Sequence, residues 1–423
     1  MAPKEYRVSL RAYRQADGTL HAEIENSNPF KLNDITLRIR DNGVETTESI
    51  GSIAANSVWK TGQVAPRYDA FRAVGYYQGA EHMIDESLFD ERRGVYRGEI
   101  HHAMVWPDKD SDDKWTKTIV REFPDLGVSL AVSFVARGPR IAFSGHSFTG
   151  LWDSSYYYFR ELAKMGGWNA QIAYSYWSGT GLAHHAGLIA GTKARSQQTE
   201  TMLAANEYYD FYSVAGNSDE GVSTASGTIG ATDYNQRADM QKGAEIAWER
   251  AKSKGARLIL WATRGYRYGY FRDMRAKPWE KGSVGQAFEK DGKAYTLTLT
   301  ERQMAAKNAN WYMEMARAIS DEIRVAQVGT AYDAILAHHA DRVDPYLHAG
   351  QELGDDAHQN NQGNYLAACV YYGMIFGESP EGLGVPESHT WGMDGGSVTR
   401  EQAEIMQKAA WDVVCGRYSL LEK

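Results

Sequence analysis

The sequence predicts an α/β protein, a doubly wound parallel sheet, preceded by a β-rich domain. Three observations carry that expectation. From residue 140 onward short apolar runs alternate with helical patterns, as βαβ units do. One of those runs, Arg257 to Ala262 with LILW at its centre, is continuously apolar and suits a parallel strand buried on both faces. Before residue 137 the pattern differs: alternating segments are interrupted by Asp17-Gly18 and Asn42-Gly43, dipeptides that favour two-residue hairpins.

Within the β-rich part, Val8 to Tyr13 and Thr19 to Ile24 flank the first turn, and Ile35 to Arg40 leads into the second. Further on, Val128, Leu130, Val132 and Phe134 alternate with Ser129, Ala131, Ser133 and Val135. They follow a Pro124-Asp125-Leu126-Gly127 turn and a matching strand near Lys117 to Phe123. Strands at this spacing predict a β-sandwich or jelly-roll domain over residues 1–137. The stretch 66–114 is irregular. Asp108, Asp110 and Asp112 there imitate the start of a calcium loop, but Asp113 stands where that loop needs glycine and Ile119 where it needs glutamate. The run is read as a solvated acidic loop. Arg137-Gly138-Pro139 is the expected linker into a second domain, residues 138–423.

That domain opens with a strand at Ile141 to Phe143, a tight turn, and a helix from about Tyr156 with Tyr158, Leu162 and Met165 on one face. Gly166-Gly167 ends the helix. Strands follow at Asn169 to Tyr176 and Phe211 to Val214, then a helix from about Gln236 to Lys254 with Met240, Ala244 and Trp248 aligned. After the LILW strand come a long helix, Glu301 to Ile319, and a last strand, Ile323 to Val328, so about five parallel strands fit. The stretch 265–300 breaks the alternation with Tyr266, Tyr268, Tyr270, Phe271 and Trp279, then a hairpin around Asp291-Gly292. Insertions at strand ends build site walls or lids, so Tyr268, Tyr270 and Trp279 are candidate substrate-binding residues.

Composition narrows the function. The 423 residues, 43% hydrophobic and 24% charged, can bury a sizeable core. A net charge of -8 without basic clusters argues against a nucleic-acid partner. No apolar run approaches the roughly 20 residues of a membrane span. Cys369 and Cys415, each expected in a helix, cannot make a disulfide framework or a thiolate zinc site. They are read as free thiols, with a single bridge left open. The adjacent pairs His101-His102, His184-His185 and His338-His339 point in different directions on a helix or strand and are read as separate polar or core histidines. No H-E-x-x-H occurs, and neither metal nor cofactor is expected. The start, MAPKEYRVSL, lacks the apolar core of a signal peptide, which leaves a cytoplasmic protein or one whose signal has been trimmed.

Two stretches carry chemistry. In RIAFSGHSFTGL, residues 140–151, Ser147 falls in the turn at the carboxyl end of a strand, where open α/β sheets bind ligands. Capping of the following helix is its plainer role. In DDAHQNNQGNYL, residues 355–366, His358 stands three residues after Asp355 and just before an apolar helical run. A serine needs a base to take its proton, and the base needs a partner to fix its tautomer. An α/β-hydrolase elbow would need glycine where Thr149 stands. The two stretches together resemble the first and last motifs of the SGNH (GDSL-like) serine hydrolases, with His146 where that family usually has Asp. The resemblance spans roughly 140–380 and implies a flavodoxin-like three-layer fold. It implies Ser147 as nucleophile, His358 as base and Asp355 as orienter, with Asp356 as the competing partner.

The same resemblance implies an oxyanion hole built from the Ser147 amide, a glycine after the second strand and an asparagine after the third. Gly179 is the better match for the glycine and Gly181 the alternative. Asn217 could supply the side-chain amide, though a strict alignment puts Ser218 in its place. The expected activity is hydrolysis of acyl esters, small-molecule or polysaccharide. Acetylated carbohydrate is one class, and lipid or aryl esters are others. A catalytically inactive carbohydrate-binding or structural protein on the same fold is the alternative.

Overall fold

The computed structural model describes residues 6–15, 18–61, 89–90, 95–96, 102–105, 116–135, 138–150, 154–168, 170–177, 179–189, 193–206, 208–217, 221, 226–229, 232–267, 270–271, 287–290, 293–346, 358–386 and 397–421. The acidic run at Asp108, Asp110 and Asp112 lies outside them.

The chain begins with β1 (Val8–Arg14), β2 (Leu20–Asn26), β3 (Leu32–Asp41), β4 (Val44–Ile53) and β5 (Ser57–Lys60). Two short strands, β6 (Phe89–Asp90) and β7 (Val95–Tyr96), pair with each other; β8 (His102–Val105), β9 (Thr116–Phe123) and β10 (Val128–Val135) follow. They form a three-stranded sheet, β1-β2-β5, and a four-stranded sheet, β4-β3-β10-β9. Asn42 and Gly43 both take positive φ, 48° and 83°, as the β3–β4 hairpin turn requires. The expected alternation of β10 is present: Val128, Leu130, Val132 and Phe134 are buried. They share one apolar cluster with Leu10 and Ile24 of the other sheet.

The α/β part runs β11 (Arg140–Gly145), α1 (Ser147–Gly150), α2 (Ser155–Met165), β12 (Gln171–Tyr176), α3 (Leu182–His185), α4 (Lys193–Ala204) and β13 (Phe211–Ala215). A small hairpin, β14 (Ser226–Ile229) and β15 (Thr232–Asn235), precedes α5 (Gln236–Ser253) and β16 (Arg257–Trp261). The insertion then supplies β17 (Tyr270–Phe271), β18 (Ala287–Lys290) and β19 (Lys293–Leu299), an antiparallel sheet of order β17-β19-β18. Lys290 pairs with Lys293 across the expected Asp291-Gly292 turn. The chain closes with α6 (Glu301–Ile319), β20 (Arg324–Ala326), α7 (Val328–His338), α8 (Asn361–Phe376) and α9 (Arg400–Val414).

The central sheet has the order β20-β16-β13-β11-β12-β8. The first five strands are parallel, and β8 joins the β12 edge antiparallel. Counted along the chain, the parallel strands stand 5-4-3-1-2, the flavodoxin-like order. Both faces are covered, which gives three layers. Ile141, Phe143, Ile259 and Trp261 pack with α2, α7 and α8, whereas Ala142, Leu258 and Leu260 pack with α5 and α6.

The last parallel strand is shorter than expected. The strand foreseen over Ile323–Val328 stops at Ala326, because Val328 already begins α7. A Cβ on the next residue, Gly329, would lie 2.4 Å from the Thr263 carbonyl oxygen, so the helix starts pressed against the end of β16. Cys369 is buried within α8, while Cys415 caps α9 and is exposed; both are free thiols.

Candidate active site

Chain reversal in the parallel strand order occurs between β11 and β13, and the candidate residues gather at the carboxyl ends of these strands. Ser147 follows β11, Asn217 follows β13, and Gly179 follows β12 on the other side. Ligands of doubly wound sheets bind at such a switch point.

The turn bearing Ser147 is built by close approach. A Cβ on Gly145 would lie 1.8 Å from the Tyr156 hydroxyl and 2.1 Å from Thr149 Oγ1, so only glycine fits. The Tyr156 hydroxyl donates to Thr149 Oγ1 at 2.5 Å, and Thr149 Oγ1 accepts the His146 N–H at 3.1 Å. The Thr149 and Gly150 N–H groups donate to the His146 carbonyl at 2.8 and 3.0 Å. The Phe148 N–H donates to Nδ1 of His146 at 3.2 Å. Among the described residues no acceptor meets the Ser147 N–H, while the turn consumes its neighbours'.

Ser147 Oγ stands 2.9 Å from Nε2 of His358, a hydrogen bond between groups 211 residues apart. Phe148 sets its ring edge-on to the imidazole, centroids 4.9 Å apart. Gln359, fully buried, donates from Nε2 to the Ser147 carbonyl at 2.9 Å and accepts from Arg264 at 2.8 Å. The Arg264 guanidinium is buried with its carbon 3.8 Å from the Phe148 ring centroid and 5.1 Å from that of Tyr332. Sequence reasoning did not single out Gln359 or Arg264.

His146 is wholly buried, and its Nε2 lies 2.8 Å from the Gly216 carbonyl. Burial pushes its pKa down to about 3; the Gly216 bond opposes that shift and the Arg264 charge adds to it. The imidazole is therefore neutral at ordinary pH.

Gly179 takes φ of +66° in a turn, with open space where a side chain would stand. Its N–H meets no acceptor among the described residues. The Gly181 N–H is already committed to Nδ1 of His184 at 3.1 Å. His185, also buried, lies 3.1 Å from Thr180 Oγ1 and 3.2 Å from Thr199 Oγ1, so these two histidines serve separate local networks. Asn217 is half-buried beside Gly216. Asp355, Asp356, Ser218, Tyr268 and Trp279 lie outside the described residues, and Tyr270 is described only as part of β17.

No family model matches the chain, and no curated protein matches it. Among solved structures it is similar to a catalytic mutant of Axe2, an acetylxylan esterase from Geobacillus stearothermophilus. There the identity is 13%, the coverage 56% of this chain and 94% of that one, and the TM-score 0.34. It is similar also to protein YxiM from Bacillus subtilis, with 12% identity, 85% of each chain covered and a TM-score of 0.32. Overlap at this level leaves the geometry around Ser147 as the ground for a functional reading.

Proposed function

We propose that the protein is an SGNH-like serine esterase whose residues 138–423 carry the chemistry, beside an N-terminal β-sandwich formed by the two smaller sheets. The observation that carries this reading is the 2.9 Å contact of Ser147 Oγ with His358 Nε2 at the switch point of the sheet. Ser147 attacks the ester carbonyl as His358 takes its proton. The imidazolium then protonates the departing alcohol, and a water activated by His358 releases the acid from the acyl-enzyme. Asp355 orients His358. The Ser147 and Gly179 amides and the Asn217 side chain receive the oxyanion. The two backbone N–H groups without described acceptors support that assignment, and the commitment of the Gly181 amide favours Gly179 over it. Acetylated carbohydrates are the first substrates to test, given the ring-rich insertion 265–300, with lipid and aryl esters beside them.

A fluorophosphonate probe should label the protein at Ser147, and p-nitrophenyl acetate turnover should be indifferent to EDTA. Ser147→Ala and His358→Ala should each lower kcat by at least about 10³-fold. Retention of full turnover by Ser147→Ala, or its abolition by EDTA with recovery on adding metal, would sink the reading. A folded protein that neither labels nor hydrolyses any ester class would point to a binding or structural role.

A further inference from the structure

Strands β11 and β13 pair side by side as far as Ser144 and Val214, and beyond that point each runs into its own turn. One turn carries Ser147 and the other carries Asn217. His146 has a nitrogen in each. Because Nδ1 accepts the Phe148 N–H, the single proton of the neutral ring sits on Nε2, which donates to the Gly216 carbonyl.

We propose that His146 is a positioning residue that fixes the turn bearing Asn217 against the nucleophile turn, and so holds two oxyanion donors at their working separation. This rests on the esterase reading above. The bond is directional: the Gly216 oxygen can only accept, so the residue facing it must donate. An aspartate in place of His146 could still accept the Phe148 N–H, but it ends at the place of Nδ1 and has no proton to give the Gly216 carbonyl. A buried carbonyl left without its donor lets the two turns drift apart. Errors of about 1 Å in such a site cost on the order of 10²-fold in rate. Substrate binding is expected to change little, because the donors act on charge that develops only in the transition state.

The test is a set of variants assayed on p-nitrophenyl acetate, with melting temperature recorded for each. Asn217→Ala should lower kcat by on the order of 10²-fold. His146→Asp and His146→Ala should lower kcat to a similar extent with KM within about threefold of the parent. His146→Gln, whose amide nitrogen reaches the place of Nε2, should stay within about tenfold of the parent, whereas His146→Asn, whose amide reaches only the place of Nδ1, should behave like His146→Ala. The combination His146→Ala with Asn217→Ala should be no worse than about threefold below Asn217→Ala alone, since both act on one donor. A role in stability alone would make those two losses multiply and would leave Gln and Asn alike; either result overturns the proposal, as does full kcat in His146→Ala. If His146→Asp does not fold, the Ala, Gln and Asn variants decide. Loss of labelling and activity in Ser147→Ala keeps the esterase reading in place whatever the His146 series shows, whereas an unlabelled, inert parent removes both.

Discussion

A serine becomes a nucleophile only when a base is held against it, and here the loop bearing the proposed base is fastened twice. His358 reaches the Ser147 hydroxyl, and its neighbour Gln359 reaches the Ser147 carbonyl while Arg264 holds the far side of the amide. Gln359→Glu keeps the acceptor toward Arg264 but sets an oxygen against the Ser147 carbonyl. We expect kcat to fall by about tenfold to 10²-fold, KM to change little, and stability to drop by about 1–3 kcal/mol. Unchanged kcat would reduce Gln359 to a packing residue. Asp355→Asn should lose much of kcat with little change in melting temperature, while Asp356→Asn should be mild in rate. The reverse outcome would reassign the partner of His358. Ser147 and His358, which the structure brings within 2.9 Å, stood out in the sequence because the chemistry proposed for them requires particular residue types beside particular element ends. Gln359 and Arg264 did not. Their role exists only through contacts across 95 residues, and a guanidinium set among rings from separate elements leaves no local pattern.

At the scale of the element, the turn bearing Ser147 depends on a missing side chain. Gly145→Ala would drive a methyl into Tyr156 and Thr149, so we expect a loss of about 1–3 kcal/mol by thermal melting, with reduced activity because Ser147 shifts too. A second element-level prediction concerns the start of α6. The Glu301 carboxyl is pushed up from 4.5 to about 8, first by burial and then by the Asp333 charge, against the bond from Tyr346. Between those values the folded state keeps a proton that the unfolded chain has released, so this group's contribution to stability falls as pH rises through the interval. Glu301→Gln should flatten the decline in melting temperature between pH 5 and about pH 8; an unaltered slope would show that the carboxyl is ionised in the fold. Helix α6 was legible to the residue because Thr300 and Gln303 form a capping box ahead of a clear apolar face. Helix α4 was not, since KARSQQTETMLA carries no apolar stripe and owes its place to neighbours.

Across the whole molecule, the candidate site residues all fall beyond 137, but the packing does not stop there. Tyr6 and Phe30 of the N-terminal region set their rings against Trp168, at 5.6 and 5.3 Å, and Trp168 stacks on Phe376 of α8 at 5.1 Å. The half-buried Asp210 carboxylate accepts the Lys31 N–H at 2.8 Å and the Arg140 N–H at 2.9 Å, joining the two parts at the amino ends of the parallel strands. Strand β8, from within residues 1–137, edges the central sheet. We therefore expect residues 140–423 expressed alone to melt well below the full chain, and Asp210→Ala in the full chain to cost about 2–4 kcal/mol by leaving buried amides unmatched. A fragment as stable as the parent would make the linker at 137–139 a true boundary of folding. The sequence showed where the two patterns change, but hydrophobic period cannot report that neighbouring parts cover one another's rings. The long span between Ser147 and His358 also has a meaning in time. At about 5–20 residues per second, a ribosome needs on the order of 10–40 s to travel from the codon of Ser147 to that of His358. Throughout that interval a nascent chain with its N-terminal strands already made holds Ser147 without His358, so under the proposed mechanism a ribosome that stalls short of His358 releases an inert product rather than a partly active one.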